Sequence, residues 1–280
     1  VRGIESSGML CSAKELGIAE DDSQCITGDD LNHLSQEELN KIVPNLRVFA
    51  RVSPEHKVMI VKAYRSHGNI VSMTGDGVND APSLKAADIG VAMGITGTDV
   101  AKGAADMILT DDNFATIEKA IEEGRIIYNN IRKSVLFLLS SNFGEIVTMF
   151  VAITAGLASP LKATHILWVN LVTDSLPGLA LGVDSGHTGI MKEPPRNPKE
   201  SLFARGGLAL TVFYGFVIGL TTLAAFLYVP YAHITAAGLE LTYEAIRSAL
   251  AQPELYIIAQ TYAFTTLALS QLFHVSALKI

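Results

Sequence analysis

Two carboxylates and one amide follow one another closely in the segment TGDGVNDAP, residues 74–82. The segment comes after an apolar run at residues 69–72, which predicts a buried strand. Gly75 and Gly77 permit a tight turn that lifts Asp76 away from the strand end. Carboxylate oxygens on such a turn suit Mg²⁺, which usually takes one or two carboxylates together with phosphate oxygens. An ordinary acidic turn is the alternative, and a lone Gly-Asp-Gly does not distinguish the two.

The elements that must position this turn lie in residues 1 to about 133, which carry most of the charge. Short apolar runs alternate there with helical patterns, and this alternation predicts a parallel α/β architecture. We predict strands at 47–50, 70–73, 89–92 and 107–109, and helices that begin at Pro54, Ala81 and Val100 and near Asn113. Functional loops of such sheets lie at the carboxyl ends of the strands, where Asp76 falls.

From Ser134 onward the chain becomes strongly apolar, in line with its hydrophobic share of 49% and mean hydropathy of +0.33. A helix needs about 20 apolar residues to cross the hydrocarbon core of a bilayer. Four segments have such a length, at residues 134–158, 161–183, 206–229 and 255–278. We therefore predict an integral, multi-pass membrane protein with four transmembrane helices, rather than four buried helices of a soluble protein.

Lysine and arginine are unevenly distributed around these segments, and such residues collect on the cytoplasmic side of membrane proteins. The flank before the first segment and the loop between the second and third contain Arg125, Arg132, Lys133, Lys192, Arg196, Lys199 and Arg205. The other two connecting loops carry only Lys162 and Arg247. We predict that the N-terminal domain and the C-terminus face the cytoplasm. The net charge of −7 gives no indication of nucleic-acid binding.

Polar side chains within the first two apolar segments are candidate ion ligands, since ionisable groups at this depth are costly and usually functional. Asn142 and Glu145 share one helix face, and Asn170, Thr173 and Asp174 share another. Together they offer a hard, oxygen-rich set that suits Ca²⁺ better than a soft metal. The alternative is hydrogen bonding that only holds the helices together.

Two further features bear on this set. Pro177 and Gly178 follow Asp174 and are predicted to break the second segment, so that backbone carbonyls become available to a cation. Gln271 and His274 lie on the last segment, where they either join the ion site or make packing contacts.

The string Thr-Gly-Asp-Gly-x-Asn-Asp-Ala-Pro, with Asn-Phe-Gly-Glu and Asn-Leu-Val-Thr-Asp-Ser-Leu-Pro downstream, resembles the P-type cation-transporting ATPases. The resemblance is to the calcium-transporting branch, bacterial forms especially, and to the C-terminal part of the family's architecture. It implies that residues 1–123 are the C-terminal part of a cytoplasmic phosphorylation domain with a haloacid-dehalogenase-like α/β fold. Residues 124–133 would form a stalk, and residues 134–280 a transmembrane domain of four helices.

The resemblance also implies roles for four residues around the turn. Asp76 is similar to the Mg²⁺ ligand of the family, and Asn79 and Asp80 are similar to the residues that order the catalytic loop and phosphate site. Lys57 resembles the lysine that neutralises the phosphoryl group, since phosphoryl transfer requires a fixed cation. Without the resemblance, Lys57 would be interpreted as a solvated helix lysine.

In the apolar segments, the resemblance implies that Asn142, Glu145, Asn170, Thr173 and Asp174 are ligands of the transported Ca²⁺. Gln271 is a candidate further ligand, and it stands where two-site calcium pumps carry a glutamate. This departure favours fewer bound ions, with one Ca²⁺ per cycle. Mn²⁺, Mg²⁺ and Na⁺ remain open as the transported ion.

The family's phosphorylated motif, Asp-Lys-Thr-Gly-Thr, does not occur in this sequence. Thr27-Gly28-Asp29 imitates a phosphate motif of the family but stands in the wrong place, so we reject it as catalytic. A soluble phosphatase is disfavoured too, because no nucleophilic aspartate follows an apolar strand.

Two hypotheses therefore remain. In the first, the chain is the C-terminal part of a pump that uses ATP and Mg²⁺ to export Ca²⁺ across the plasma membrane through a phosphoenzyme, and the chain alone is inactive. In the second, it is a non-catalytic truncated membrane protein that binds cations or modulates a full-length pump. In both hypotheses the partners of the chain would include membrane lipid and the transported cation. The further partner would be the missing N-terminal part in the first hypothesis and a full-length pump in the second.

Overall fold

The computed structural model describes residues 17–186, 189–197 and 200–278. The first sixteen residues of the predicted domain 1–123, and Lys199 of the predicted cytoplasmic loop, lie outside these ranges. The described residues up to Lys119 form one compact unit, and those from Ala120 onward form another.

The first unit alternates short strands with helices. Its strands are β1 (Cys25–Thr27), β2 (Val48–Ala50), β3 (Ser72–Gly75), β4 (Ile89–Met93) and β5 (Met107–Leu109). Its helices are α1 (Gly28–Leu31), α2 (Gln36–Ile42), α3 (Pro54–Ser66), α4 (Ala81–Ala86) and α5 (Asp99–Ala104). β1 pairs with β2, and β3, β4 and β5 form a second sheet in that order, with every pair parallel. These parallel sheets agree with the predicted α/β architecture, while the haloacid-dehalogenase-like fold stays a prediction.

The central strand and the helix starts follow from local sequence. β4 is buried on both faces from Gly90 to Met93, as is usual for a strand with parallel neighbours on each side. α3 begins at Pro54 because proline is favoured at the first helical position and needs no N–H partner there. The hydroxyl of Ser53 accepts the N–H of His56, and the His56 ring accepts the N–H of Ser53 in return.

Two expectations for this unit were inaccurate. The strand predicted at 70–73 begins two residues later, because Ile70 is 55% exposed and the Asp88 carboxylate holds the N–H of Val71 at 3.0 Å. β1, α1 and α2 were not predicted. Thr27 and Asp30 form a capping box at the start of α1, so the Thr27-Gly28-Asp29 segment has a structural use in a helix cap.

The second unit is helical. Its helices are α6 (Ala115–Thr154, which begins just before the unit), α7 (Ala163–Trp168), α8 (Ser175–Gly182), α9 (Gly207–Ala236), α10 (Tyr243–Leu250) and α11 (Pro253–Leu278). Within the described ranges, α6 and α9 are long and apolar enough to cross a membrane. The predicted segment 255–278 coincides with α11, but polar residues such as Gln260, Gln271 and His274 make that helix less apolar. The structure therefore supports two of the four predicted spans.

The predicted segment 161–183 is divided by a π-helix, Val169–Asp174, between α7 and α8. The predicted break at Pro177 and Gly178 is wrong in position, since α8 continues through both residues. The cause is still Pro177, because it has no N–H to donate to the carbonyl of Thr173 and its ring crowds that carbonyl. The distortion therefore appears one turn earlier, as a widened turn of the kind often found at functional sites.

Three glycines allow α6 and α9 to approach closely. A Cβ atom on Gly144 would lie 2.8 Å from Ile218, and one on Gly219 would lie 2.9 Å from the carbonyl oxygen of Gly144. One on Gly215 would lie 2.5 Å from Phe143. The hydroxyl of Thr148 contacts the carbonyls of Gly144 and Gly219 at 2.8 and 3.2 Å. Small residues at such spacing are typical of tight helix contacts in membranes.

Basic residues at the N-terminal part of α6 fix the loop between α8 and α9. Arg125 donates to the carbonyls of Ile190 and Glu193, both at 2.9 Å, and Arg132 donates to those of Leu202 and Ala204. Irregular backbone needs such partners for its polar groups. The arginines that predicted the cytoplasmic side therefore also have a structural role.

We expect that Gly219→Leu will destabilise the second unit, because the added side chain must push α6 and α9 apart. Overpacking of this kind costs about 1–3 kcal/mol, which thermal unfolding in detergent will report as a lower midpoint. Gly124→Ala is the control, since a Cβ atom there meets nothing within 4 Å and alanine favours the helix. An equal loss at both positions would contradict the close contact.

Candidate functional site

The Gly-Asp-Gly turn is organised by the buried carboxylate of Asp80. One oxygen of Asp80 accepts the backbone N–H groups of Asp76 and Gly77, both at 3.2 Å. A Cβ atom on Gly75 would stand 2.5 Å from the Cβ of Asp80, so the end of β3 requires glycine. Asp80 thus folds the chain back on itself immediately after the strand.

Lys57 on α3 completes this arrangement. Its ammonium nitrogen lies 2.5 Å from the other oxygen of Asp80. Burial by itself would raise the pKa of Asp80, but the bond from Lys57 and the N–H groups of Gly77 and Asp76 outweigh it and hold the pKa below its ordinary value. An ammonium group has three donors, so the bond to Asp80 leaves others available to an incoming oxygen.

The remaining two predicted residues of the turn face solvent. The Asp76 carboxylate is exposed and makes no hydrogen bond or ion pair with the part of the chain that the structure describes. Asn79 is exposed in the same way. The structure therefore brings Lys57, Asp80 and the turn backbone together, and it leaves Asp76 with two unused acceptor oxygens that fit a hard cation such as Mg²⁺.

The second predicted site lies among the helices of the second unit. Glu145 on α6, Asp174 at the end of the π-helix and Gln271 on α11 are 6%, 1% and 0% exposed. The carboxylate of Glu145 lies close enough to Asp174 for their charges to repel, and Asn170 and Gln271 lie beside it. Thr173 is buried as well. Residues that are far apart in the sequence therefore meet at one place.

Most polar atoms of this cluster lack a partner. One oxygen of Glu145, both oxygens of Asp174 and both polar atoms of Gln271 are buried and make no hydrogen bond with any described residue. Buried charges are normally paired or bound to a metal, because an isolated one is costly. The cluster is therefore suited to a cation, which would satisfy several of these oxygens at once.

The amides of Asn142 and Asn170 are oriented by their own helices. The side-chain nitrogen of Asn142 donates to the carbonyl of Leu138 at 2.9 Å, and that of Asn170 donates to Ile166 at 3.0 Å. Each bond uses the donor side of the amide and leaves the oxygen as the group available to a ligand. Both asparagines thus present the atom that a hard cation requires.

No group of three or more histidine, cysteine, aspartate or glutamate side chains converges within the described ranges. A cation here would therefore depend on amide and hydroxyl oxygens as well as on the two carboxylates. His274 makes an interhelical contact, which was one of its two predicted roles: its Nε2 lies 2.6 Å from the hydroxyl of Ser140. The sequence did not indicate Ser140 as the partner.

Comparison with known proteins agrees with these observations. Residues 158–280 match the family model described as "Cation transporting ATPase, C-terminus". The chain is 59% identical over 275 residues to calcium-transporting ATPase 1 of Bacillus cereus (strain ATCC 10987 / NRS 248), which is 98% of this chain and 30% of that protein. It is 52% identical over 263 residues to the calcium-transporting ATPase of Bacillus subtilis (strain 168), covering 94% of this chain and 27% of that protein.

The chain therefore belongs to the P-type cation-transporting ATPases, as the earlier resemblance indicated. More particularly, it corresponds to a C-terminal part of the bacterial calcium-transporting proteins, and it spans about 30% of the length of the Bacillus cereus relative. A P-type sodium-transporting ATPase4 of Toxoplasma gondii (strain ATCC 50861 / VEG) is also similar, with 46% identity over 76% of this chain and 17% of that protein.

We expect that Asp80→Ala will open the Gly-Asp-Gly turn, because it removes the acceptor of the Asp76 and Gly77 amides. An unmade buried bond costs about 1–3 kcal/mol, so these two amides should exchange with solvent roughly 5- to 150-fold faster. Hydrogen exchange of the intact chain measures the effect. Glu55→Gln, an exposed change on α3, serves as the control, and unchanged exchange in Asp80→Ala would refute the assignment.

Proposed function

We propose that this chain provides the ion-binding region and the Mg²⁺-binding turn of an ATP-driven pump that exports Ca²⁺. The observation that carries the proposal is the buried pair of Glu145 and Asp174, three of whose oxygens have no hydrogen-bond partner among the described residues. Such an arrangement is costly unless a cation binds, and the calcium-transporting relatives support Ca²⁺ as that cation.

The charge and the donor set favour a divalent ion. Two ionised carboxylates in an apolar surrounding are neutralised by one Ca²⁺, whereas one Na⁺ would leave a buried negative charge. Ca²⁺ takes six to eight oxygen ligands in a flexible geometry. Six side chains here offer such oxygens: Asn142, Glu145, Asn170, Thr173, Asp174 and Gln271.

The turn in the first unit would serve the phosphoryl chemistry of the whole pump. Asp76 would hold Mg²⁺, which supplies charge neutralisation at the phosphoryl group. Lys57 would place a second positive charge there, while Asp80 keeps the turn and the lysine in position and Asn79 orders the loop. The aspartate that ATP phosphorylates would belong to a segment that this sequence does not contain.

The proposed organisation follows the same reasoning. Residues 1–123 would be the C-terminal part of a haloacid-dehalogenase-like phosphorylation domain in the cytoplasm, and residues 124–133 a stalk. Residues 134–280 would form four spans in the plasma membrane, including the divided segment and α11. Their polar residues are acceptable because Asp174 and Gln271 are buried among helices and do not face lipid. Membrane lipid and the pump's N-terminal part would be the partners.

We expect Ca²⁺ to change the fluorescence of Trp168, the only tryptophan, because it immediately precedes the π-helix that carries Asp174. Glu145→Gln and Asp174→Asn should each weaken the response at least tenfold, since each removes one of two buried charges. Fluorescence titration in detergent measures this, with Na⁺ and Mg²⁺ as competing ions.

The matched control for this titration is Glu122→Gln, an exposed change on the same helix as Glu145. It should bind Ca²⁺ as the unchanged chain does. A Ca²⁺ response that survives in both site variants would place the ion elsewhere and would falsify the proposed site.

We expect the purified 280-residue chain to form no phosphoenzyme from ATP and Mg²⁺, because Asp-Lys-Thr-Gly-Thr is absent from it. Transfer of labelled phosphate from ATP, followed by acid precipitation and hydroxylamine treatment, measures this. Stable labelling that hydroxylamine removes would contradict it. Specific co-purification with a full-length pump would instead favour the modulator hypothesis, to which the comparisons lend no support.

A further inference from the structure

The carboxylate of Asp112, which lies outside both predicted sites, accepts four hydrogen bonds from one loop. An oxygen of Asp112 accepts the backbone N–H of Gly94 at 2.6 Å and that of Ile95 at 3.0 Å. The other oxygen accepts the N–H and the hydroxyl of Thr96, both at 2.8 Å. Asp112 follows β5, whereas its three partners begin the loop between β4 and α5, residues 94–98. The carboxylate therefore joins the ends of two neighbouring strands.

The backbone of Asp112 adopts an unfavourable conformation in this arrangement. Asp112 has a φ of +49°, in the left-handed region that residues other than glycine rarely adopt. The N–H of Ile95 in particular, together with the Thr96 and Gly94 donors, lowers the pKa of Asp112 to about 2 against a smaller opposing effect of burial. The group is therefore fully ionised at neutral pH, when its bonds are strongest.

The last residue of the loop that Asp112 holds is hydrogen-bonded to the Gly-Asp-Gly turn. The backbone N–H of Thr98 donates to the carbonyl of Asp76 at 2.8 Å, and the Thr98 hydroxyl accepts the N–H of Ala101 to begin α5. The loop is also packed tightly, since a Cβ atom on Gly97 would lie 2.0 Å from the carbonyl oxygen of Met93. A shift at residues 94–96 therefore reaches Thr98 and the bond to Asp76.

We propose that Asp112 is a positioning residue for Asp76. Asp80 fixes the N–H of Asp76, and the loop clamped by Asp112 fixes its carbonyl through Thr98. With both backbone groups held, the Cα–Cβ bond of Asp76 keeps one direction, and this limits the positions that its exposed carboxylate can take. Preorganisation of this kind raises metal affinity through groups that never touch the metal. The inference rests on the proposed function of Asp76 as the Mg²⁺ ligand.

Asp111 provides a matched control in the adjacent position. Among the described residues, its carboxylate bonds the N–H of Asn113 at 3.1 Å and the hydroxyl of Thr116 at 2.7 Å, and it makes no bond to the 94–98 loop. Asp111→Asn therefore removes the same charge without loosening the clamp. Asp112→Asn replaces one acceptor oxygen by an NH₂ group, which faces donors and cannot accept from them.

The experiment combines amide exchange with Mg²⁺ titration on the intact chain in detergent. In Asp112→Asn, we expect the amides of Ile95, Thr96 and Thr98 to exchange at least tenfold faster, while those of Val91 and Ala92 in β4 stay unchanged. The N–H of Gly94 should respond less, because it also donates to the carbonyl of Leu109 at 2.8 Å. Mg²⁺ binding, followed by calorimetry with Asp76→Asn as the reference lacking the ligand, should weaken about three- to tenfold. Thr96→Val, which removes only the hydroxyl bond, should give a smaller change in the same direction, and Asp111→Asn should match the unchanged chain.

The outcomes separate this inference from the proposed function. If the unchanged chain binds no Mg²⁺, or Asp76→Asn binds it equally well, the proposed role of Asp76 fails and the positioning role with it. If Asp76→Asn abolishes binding but Asp112→Asn binds Mg²⁺ as tightly as the unchanged chain, only the positioning role is overturned. Equal exchange at Thr98 in Asp112→Asn and Asp111→Asn would overturn the clamp itself.

Discussion

The buried carboxylates of Glu145 and Asp174 are the constraint on which the second unit depends. Both carboxylates are buried, and their charges repel one another. Three of their four oxygens make no hydrogen bond with any described residue. Such a pair opposes folding, so the helices that carry it must be held together elsewhere. The close contact of Gly144 and Gly219 lies directly beside Glu145. Packing therefore provides the stability that this pair of carboxylates does not.

How much of this site the sequence could predict depends on the range of each contact. The spacing of Asn170, Thr173 and Asp174 predicted a shared face on an α-helix, because such spacing is local information. Thr173 and Asp174 are buried, but the segment is a π-helix. The position of the distortion was missed, since Pro177 acts on a carbonyl four residues earlier and only packing decides that a π-helix results. The approach of Gln271 to Glu145 joins distant helices, and no local pattern contains that information.

The first unit shows the same division. Apolar runs that alternate with helical patterns were sufficient to predict β2, β4 and β5. The signal is clearest for β4, because a central parallel strand is a continuous apolar segment. β1 escaped prediction because Ile26 is its one buried residue, so it forms no apolar run, and it depends on pairing with β2. Asp112 gave no signal at all, since an Asp-Asp pair before a helix is typical of an ordinary turn. Its partners appear only when the ends of β4 and β5 are placed side by side.

The two sites differ in how their acceptor oxygens meet water, and this difference matches the ions proposed for them. Asp76 is exposed while Asp80 and the Asp112 clamp fix its backbone, so an ion there can keep much of its hydration, as Mg²⁺ usually does. Asp174 and Gln271 are buried and unsatisfied, so an ion there must exchange water for protein oxygens. Ca²⁺ has flexible coordination and accepts that exchange more readily than Mg²⁺. Under the proposed function, hydration would thus select a different cation for each site, although both present carboxylate oxygens.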